Sequence, residues 1–498
     1  MPPASRPPSR AELERAIGRV IRRFKIPGVS LGVLENGRKV VRRGFGYRDR
    51  ARGLPATPGT VYGIASITKS FTALSILRLA EDGRLRVADP VVRYLPEFRT
   101  PEPRRTRAIT LHHFLTHSSG LPPLPSIYYT SGRSVARDPP YDPKVARRVG
   151  IDPDHPPIDT YEGILEYLAT TRYRLLGPPG EQFSYSNEAF GLLGAVIERV
   201  SGRTYERFVE EEILRPAGMR STTFDTGVML RMPEVTTLYS PNWTHPKRGW
   251  SASQEWWEDT CLRAAGALRT NVDDMLRYVE IYLRNGRVGR ERVVSPKSLA
   301  AMLRPSIEVQ PGLFYGYGLA VRPDYHGHLL AFHSGGLKGV SSLFAVVPDA
   351  GLGGAVLANA DLVPSNLLLE KAFNQRLGLP LATPFVPDPA PTPPRPTSKD
   401  LREYRGWYCS GEGIWVQVSP QRARLRADFR GIEMTAKNVR LTPIGADRFR
   451  VRRGPDVGHV RFVRGRDRRI WALQTGWRLV RRRDPKELPR ARHGGLVW

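Results

Sequence analysis

Cysteine is nearly absent. The 498 residues include two, Cys261 and Cys409, far apart in sequence. Two thiols alone cannot build a zinc site, and a disulfide-stapled scaffold is excluded; nothing in the spacing supports a bridge between them. Long apolar runs are missing too: none reaches the roughly 18 residues needed to cross a bilayer. The first ten residues, MPPASRPPSR, carry charge with no hydrophobic stretch behind it. The expectation is therefore no secretory signal, no transmembrane segment and a cytoplasmic protein. Lysine supplies only 11 of the 77 basic residues, and the 48 acidic ones leave a formal net charge of +29. What the chain does have is 40% hydrophobic residues, enough for a sizeable core. At about 100–200 residues per domain, its length suggests two to four domains.

The positive charge is uneven. Residues 400–498 hold 24 Arg and Lys against 10 Asp and Glu. Such a segment can bind nucleic acid, an anionic membrane or an acidic subunit surface. The plainer reading is a solvated face of arginine-rich strands. No RNA-binding module with interleaved aromatics is present.

Residues 11–24, AELERAIGRVIRRF, place apolar side chains at helical spacing. Two short runs, Val29 to Leu34 and Lys39 to Phe45, flank Asn36-Gly37, a strong hairpin signal. Ser66 to Glu81 reads as a helix ending at Asp82-Gly83. Residues 122–160 are rich in Pro, Gly, Asp and Arg and weak in periodicity; they read as an irregular insertion, a candidate lid. Helices are expected again at about 161–172, 187–201 and 365–376. Leu329 to Phe332, Ser342 to Val347 and Gly354 to Asn359 read as adjacent antiparallel strands. A proline-rich linker spans 383–399. Beyond it, short alternating runs suggest a small β-barrel: 403–409, 414–418, 423–429, 448–452, 459–463, 470–474 and 477–480.

Three segments carry candidate chemistry. In Ser66-Ile67-Thr68-Lys69 the serine and lysine fall one helical turn apart, on one face. A serine hydroxyl needs a base within hydrogen-bond reach, and a lysine serves once its surroundings disfavour the ammonium. In Tyr185-Ser186-Asn187 the phenol can relay a proton if a nearby cation stabilises the phenolate, and Asn187 can orient a lysine or grip an amide. In His333-Ser334-Gly335-Gly336 the glycines let a substrate backbone approach a strand edge, where an N–H can donate to an oxyanion. His493-Gly494-Gly495 repeats that pattern in a tail where no function is expected.

Together and in this order, Ser-x-x-Lys, Tyr-x-Asn and (Lys/His)-x-Gly resemble the serine β-lactamase and penicillin-recognising superfamily. The tyrosine in the middle motif resembles the class C branch, with its esterases, D-aminopeptidases and D-alanyl carboxypeptidases. Flanking phrases agree: FKIPGVSLGVLENG, VYGIASITKSFTA, ITLHHFLTHSSGLP, LGPPGEQFSYSNEAFGLLGAVIERVSG and FYGYGLAV. The resemblance covers roughly residues 10–380.

It implies an α+β catalytic domain over 10–382, an antiparallel sheet flanked by helices plus an all-helical lobe, followed by a small all-β, lipocalin-like barrel over 400–498. It implies Ser66 as the acylated nucleophile and Lys69 and Tyr185 as general base and acid. Asn187, His333, Ser334 and Gly335 would support the site and hold substrate. The backbone N–H groups of Ser66 and Gly336 would form the oxyanion hole. The reaction would be two-step acyl transfer on a small peptide or ester, with no cofactor and no metal. The alternatives are a binding or sensing protein without turnover, and a β-lactamase. Against the last stands His333, where relatives often carry a lysine to attract a carboxylate; an ordinary imidazole is mostly neutral at pH 7. The barrel, by the same resemblance, would mediate homo-oligomers or border the active site.

Overall fold

Asn36 and Gly37 adopt positive φ angles of 48° and 77°, the conformation a two-residue hairpin demands. They join strands Gly28–Glu35 and Arg38–Asp49. The first is buried along nearly its whole length, and so are Val340–Val347 and Leu352–Ala358. Such uninterrupted apolar strands need cover on both faces, and this sets the architecture around them. The computed structural model describes residues 8–138, 143–241, 249–253, 255–387, 400–421, 424–431, 435–453 and 456–484. The chain divides into two compact units: Met1–Asp89 with Phe190–Pro387, and Pro90–Ala189 with Asp388–Trp498.

The first unit is built on a nine-stranded antiparallel sheet. Its order is Ile307–Gln310, Leu313–Tyr315, Ala320–Tyr325, His328–Leu337, Val340–Val347, Leu352–Ala358, Gly28–Glu35, Arg38–Asp49 and Leu54–Pro55. Helix Val272–Leu283 packs closely on it; a Cβ at Gly32 would lie 2.4 Å from a Val272 methyl. Helix Arg10–Phe24 starts with a reciprocal cap between Ser9 and Glu12, and Ser365–Arg376 packs beside it. Helix Thr68–Glu81 is buried almost throughout, with Phe71 stacked on Tyr278 at 3.8 Å. The helix expected from Ser66 begins as a 3₁₀ turn, Ala65–Ile67, before the α-helix proper.

The second unit joins a lobe of short helices to the carboxy-terminal strands. Residues 122–160, expected to be irregular, hold the helices Ser126–Thr130, Gly132–Arg137 and Pro143–Arg148. Tyr129 organises them: its ring stacks on His155 at 3.8 Å, its hydroxyl accepts from the Asp152 N–H, and its carbonyl accepts from the Ile158 N–H. Helix Tyr161–Thr170 follows, and Asn187–Ser201 starts where expected.

The carboxy-terminal strands form a closed eight-stranded antiparallel barrel, as the pattern suggests. Inward positions alternate along each strand: Val416 and Val418, Leu425 and Ala427, Phe449 and Val451, Val460 and Phe462. Closure comes from Gly406–Cys409 pairing with Arg478–Arg483. One strand, Thr435–Gly445, escapes the sequence reading. Lys437, Asn438 and Pro443 interrupt its alternation, and its ladder slips between Pro443 and Gly445. The run expected from Glu403 starts too early, since Asp400–Tyr404 is a helical turn. Barrel and lobe interlock. The Trp415 indole donates to the Val149 carbonyl at 2.9 Å, Gly411 N–H donates to the Pro123 carbonyl at 2.9 Å, and Leu176 clusters with Val463, Ala472 and Leu479.

Both cysteines are buried free thiols. Among the described residues no helix is long and apolar enough to cross a membrane, and no cluster of His, Cys, Asp and Glu is arranged to hold a metal. Most of the expected linker and His493-Gly494-Gly495 lie outside the described residues.

Candidate active site

Ser66 follows a strained residue. Ala65 has φ +44°, a left-handed conformation that costs a non-glycine residue of order 1 kcal/mol or more. The surrounding bonds hold it there. Ile64 N–H donates to the Leu268 carbonyl, the Thr68 hydroxyl donates to the Ala65 carbonyl, and Leu268 N–H donates to the Thr68 hydroxyl. This turn leaves Ser66 half-buried at the head of a buried helix.

Lys69 lies one turn on and has no solvent exposure. Its Nζ donates to Ser66 Oγ at 3.0 Å and to the Ala265 carbonyl at 2.6 Å, and sits 5.7 Å from the centre of the Phe190 ring. Helical spacing accounts for the first contact. The second comes from a residue 196 positions away, which no local pattern could supply.

Strand His328–Leu337 runs against this turn. A Cβ at Gly335 would lie 2.1 Å from the Ile64 carbonyl oxygen and 2.4 Å from Ser342 Oγ. Only glycine permits that approach. Gly336 instead faces open space, with nothing within 4 Å of where its Cβ would be, and Ser334 is exposed. The ladder with Ala320–Tyr325 ends at Phe332, whereas that with Val340–Val347 continues to Leu337. Residues 334–337 therefore form a strand edge, the setting in which backbone groups meet an extended substrate.

His333 is fully buried. Its Nδ1 lies 2.6 Å from the Ser334 carbonyl, which can only accept, so Nδ1 carries the proton; Nε2 then accepts from the Tyr315 hydroxyl at 3.0 Å. Burial, with the Lys69 charge second, pushes its pKa down to about 3. The imidazole is a neutral hydrogen-bonding group at any physiological pH.

Tyr185 and Asn187 belong to the second unit. Tyr185 is buried, and its ring lies 4.1 Å from that of His117. His117 itself has φ +54°; its Nδ1 accepts from the Ser186 N–H at 3.1 Å and its carbonyl accepts from the Ser184 N–H. Glu188 is buried and accepts from the hydroxyls of Ser126 and Ser186. Burial, then the charge of Glu412, raises its pKa.

Four neighbours of this motif went unassigned in the sequence. His117 lies within a family-like phrase but had no role. Glu412, Trp477 and Arg478 come from the barrel. Asn187 Nδ2 donates to Glu412 Oε1 at 3.2 Å, and Arg478 Nε donates to Glu412 Oε2. The Arg478 guanidinium lies over the Tyr185 ring, 4.4 Å from its centre, with Trp477 at 5.5 Å. Trp477 also falls just outside the strand expected to begin with it, since that strand starts at Arg478. The available signal was slight: an acid between two glycines, Gly411 and Gly413, and a Gly-Trp-Arg hairpin.

The first unit thus gathers Ser66, Lys69, His333, Ser334, Gly335 and Gly336, and the second gathers Tyr185 and Asn187 with groups from the barrel. The family model described as Beta-lactamase matches residues 13–372. Protein flp from Staphylococcus aureus (strain MW2) is 28% identical over 352 residues, which are 70% of this chain. The match spans 63% of that relative's length. The octameric penicillin-binding protein homologue from Pyrococcus abyssi is similar at 27% identity and a TM-score of 0.64, over 95% of this chain and 99% of that one. A D-stereospecific amidohydrolase from Streptomyces sp. is similar at 26% identity and a TM-score of 0.58, over 74% of this chain and 99% of that one.

Proposed function

The chain belongs to the Beta-lactamase family, and on that premise we propose that it is a serine hydrolase working through an acyl-enzyme on Ser66. The observation that carries this reading is the 3.0 Å contact between Lys69 Nζ and Ser66 Oγ at a strained turn. Ser66 Oγ attacks the carbonyl carbon of a peptide or ester, and its proton passes to the base, a duty that Lys69 and Tyr185 share. The backbone N–H groups of Ser66 and Gly336 receive the developing oxyanion. Tyr185 shares the proton traffic, delivering a proton to the leaving group, and Asn187 holds the substrate amide. Water then attacks the ester and regenerates Ser66.

A neutral His333 favours peptide or ester over β-lactam hydrolysis, because the strand offers no cation there for a carboxylate. Between the two, the similarity to the D-stereospecific amidohydrolase supports an amide, with D-residues the first to try. The octameric state named for the Pyrococcus abyssi protein supports self-association of this chain, with the barrel as the contact.

A fluorophosphonate probe tests the reading. The native protein should gain one adduct by intact mass, mapped to Ser66, and Ser66→Ala should gain none. Labelling that persists in Ser66→Ala would overturn it. With D- and L-peptides, esters and β-lactams as substrates, Ser66→Ala should lower turnover at least about 10⁴-fold.

A further inference from the structure

A phenol titrates near 10, so a tyrosine that moves protons at neutral pH needs something beside it that favours its anion. His333 supplies no charge to its surroundings. A cation does lie against Tyr185, and it comes from the barrel. The pairing of Thr475 with Arg478 closes a two-residue turn at Gly476-Trp477, with Gly476 at φ +53°. That turn presents Arg478, half-buried, to the face of the phenol ring at 4.4 Å.

The guanidinium is held there by more than the ring. Glu412 accepts from its Nε, and the other Glu412 oxygen accepts from Asn187 Nδ2 at 3.2 Å. Glu412 is itself fixed. It lies between Gly411, whose N–H donates to the Pro123 carbonyl, and Gly413, at φ +76°, whose N–H donates to the Ser410 carbonyl. The chain Asn187–Glu412–Arg478–Tyr185 therefore links both members of Tyr-x-Asn to two barrel turns. Burial, the largest influence on Arg478, works against its charge, but the Glu412 charge and hydrogen bond outweigh it and the group stays above its ordinary pKa.

We propose that Arg478 is a positioning residue for proton transfer, a barrel-borne cation that orients Tyr185 and favours its phenolate. The inference rests on the role given to Tyr185 above. It makes the barrel part of the chemistry, through an arginine and not through the strand motif at His333. Other charged or titratable groups near the phenol in this unit are His117 on the ring, Glu412 beside Arg478, and Glu188 on the adjoining helix turn.

The test is the pH dependence of fluorophosphonate labelling, in which the Oγ–P bond forms, the P–F bond breaks, fluoride leaves and the Oγ proton passes to the base. In Arg478→Gln the acidic limb of the rate should move up by about one pH unit, the low end of the roughly 1–3 units by which a neighbouring opposite charge commonly shifts a pKa. Arg478→Lys should restore most of the shift. Arg478→Gln with Glu412→Gln should keep it; a return to the native profile would mean that Arg478 only neutralises Glu412, and would overturn the proposal. A more acidic fluorinated tyrosine at position 185 should move the limb down, and an unmoved limb would assign it to another group and overturn the proposal. A uniform loss of rate with no shift in Arg478→Gln would reduce Arg478 to a structural role and overturn it too. Tyr185→Phe separates the two levels: full labelling there defeats the role of Tyr185 itself, whereas lost labelling with an unshifted Arg478→Gln profile defeats only the inference.

Discussion

Of the titratable side chains, His333 makes the clearest statement about pH. Its pKa falls from an ordinary 6.5 to about 3 on folding, mainly through burial. The folded protein thus binds fewer protons here than the unfolded one. The stability this contributes is complete above about pH 6.5 and is lost as pH falls towards 3. The expected slope is about 1.4 kcal/mol per pH unit over that window. Urea unfolding at pH 7, 6 and 5 measures it, and His333→Gln, which cannot titrate, should show a shallower dependence. Parallel slopes for the two proteins would mean that the imidazole is not neutral and buried as described. At this scale the sequence is most informative for Ser66 and Lys69, because one helical turn brings them together whatever the rest of the chain does. It is blind to Glu412 beside Asn187, a contact across 225 positions.

Among the elements, the strand His328–Leu337 decides most. Two adjacent glycines look alike in sequence and differ in space. A Cβ at Gly335 would collide with the Ile64 carbonyl and Ser342, whereas one at Gly336 would meet nothing within 4 Å. Gly335→Ala should push the strand away from the Ser66 turn, lowering activity about 100-fold, as a displacement near 1 Å can. It should also lower stability by about 1–3 kcal/mol. Gly336→Ala should leave stability within about 0.5 kcal/mol of native. Turnover and urea midpoints for the pair check this; equal stability losses would refute the packing argument. Periodicity exposes the helices Arg10–Phe24 and Ser365–Arg376 and the strands around the hairpin, because their apolar faces repeat, but not the sheet-packing helix Val272–Leu283 or the strand Ala320–Tyr325. It misses Thr435–Gly445, whose polar residues and slipped register remove the repeat.

Over the whole molecule, the arginine excess has a structural address. Within the barrel, Arg426 stands opposite Arg440 and Arg448 opposite Arg461 on neighbouring strands. Like charges facing each other across a ladder destabilise it, and salt weakens the repulsion as the screening length falls from about 10 Å at 0.1 M to about 3 Å at 1 M. Thermal unfolding should therefore shift to higher temperature as sodium chloride rises from 0.05 to about 0.5 M. A flat or falling trend would show that the arginines are already neutralised by neighbours. The same charge made an anionic partner a reasonable expectation from composition, beside the plainer one of a solvated face.

Local patterning by itself determined a great deal here: a hairpin at Asn36-Gly37, the contact between Ser66 and Lys69, the order of three motifs, and a barrel-like tail. These follow from near-neighbour spacing, which sterics and hydrogen bonding convert into shape without long-range help. Only the tertiary structure decided that His333 stays neutral well below its ordinary pKa of 6.5, because burial is a property of the packed state. It alone brought Glu412 and Arg478 to Tyr185 and Asn187, because closing a barrel and docking it on the lobe set distances that no spacing along the chain encodes.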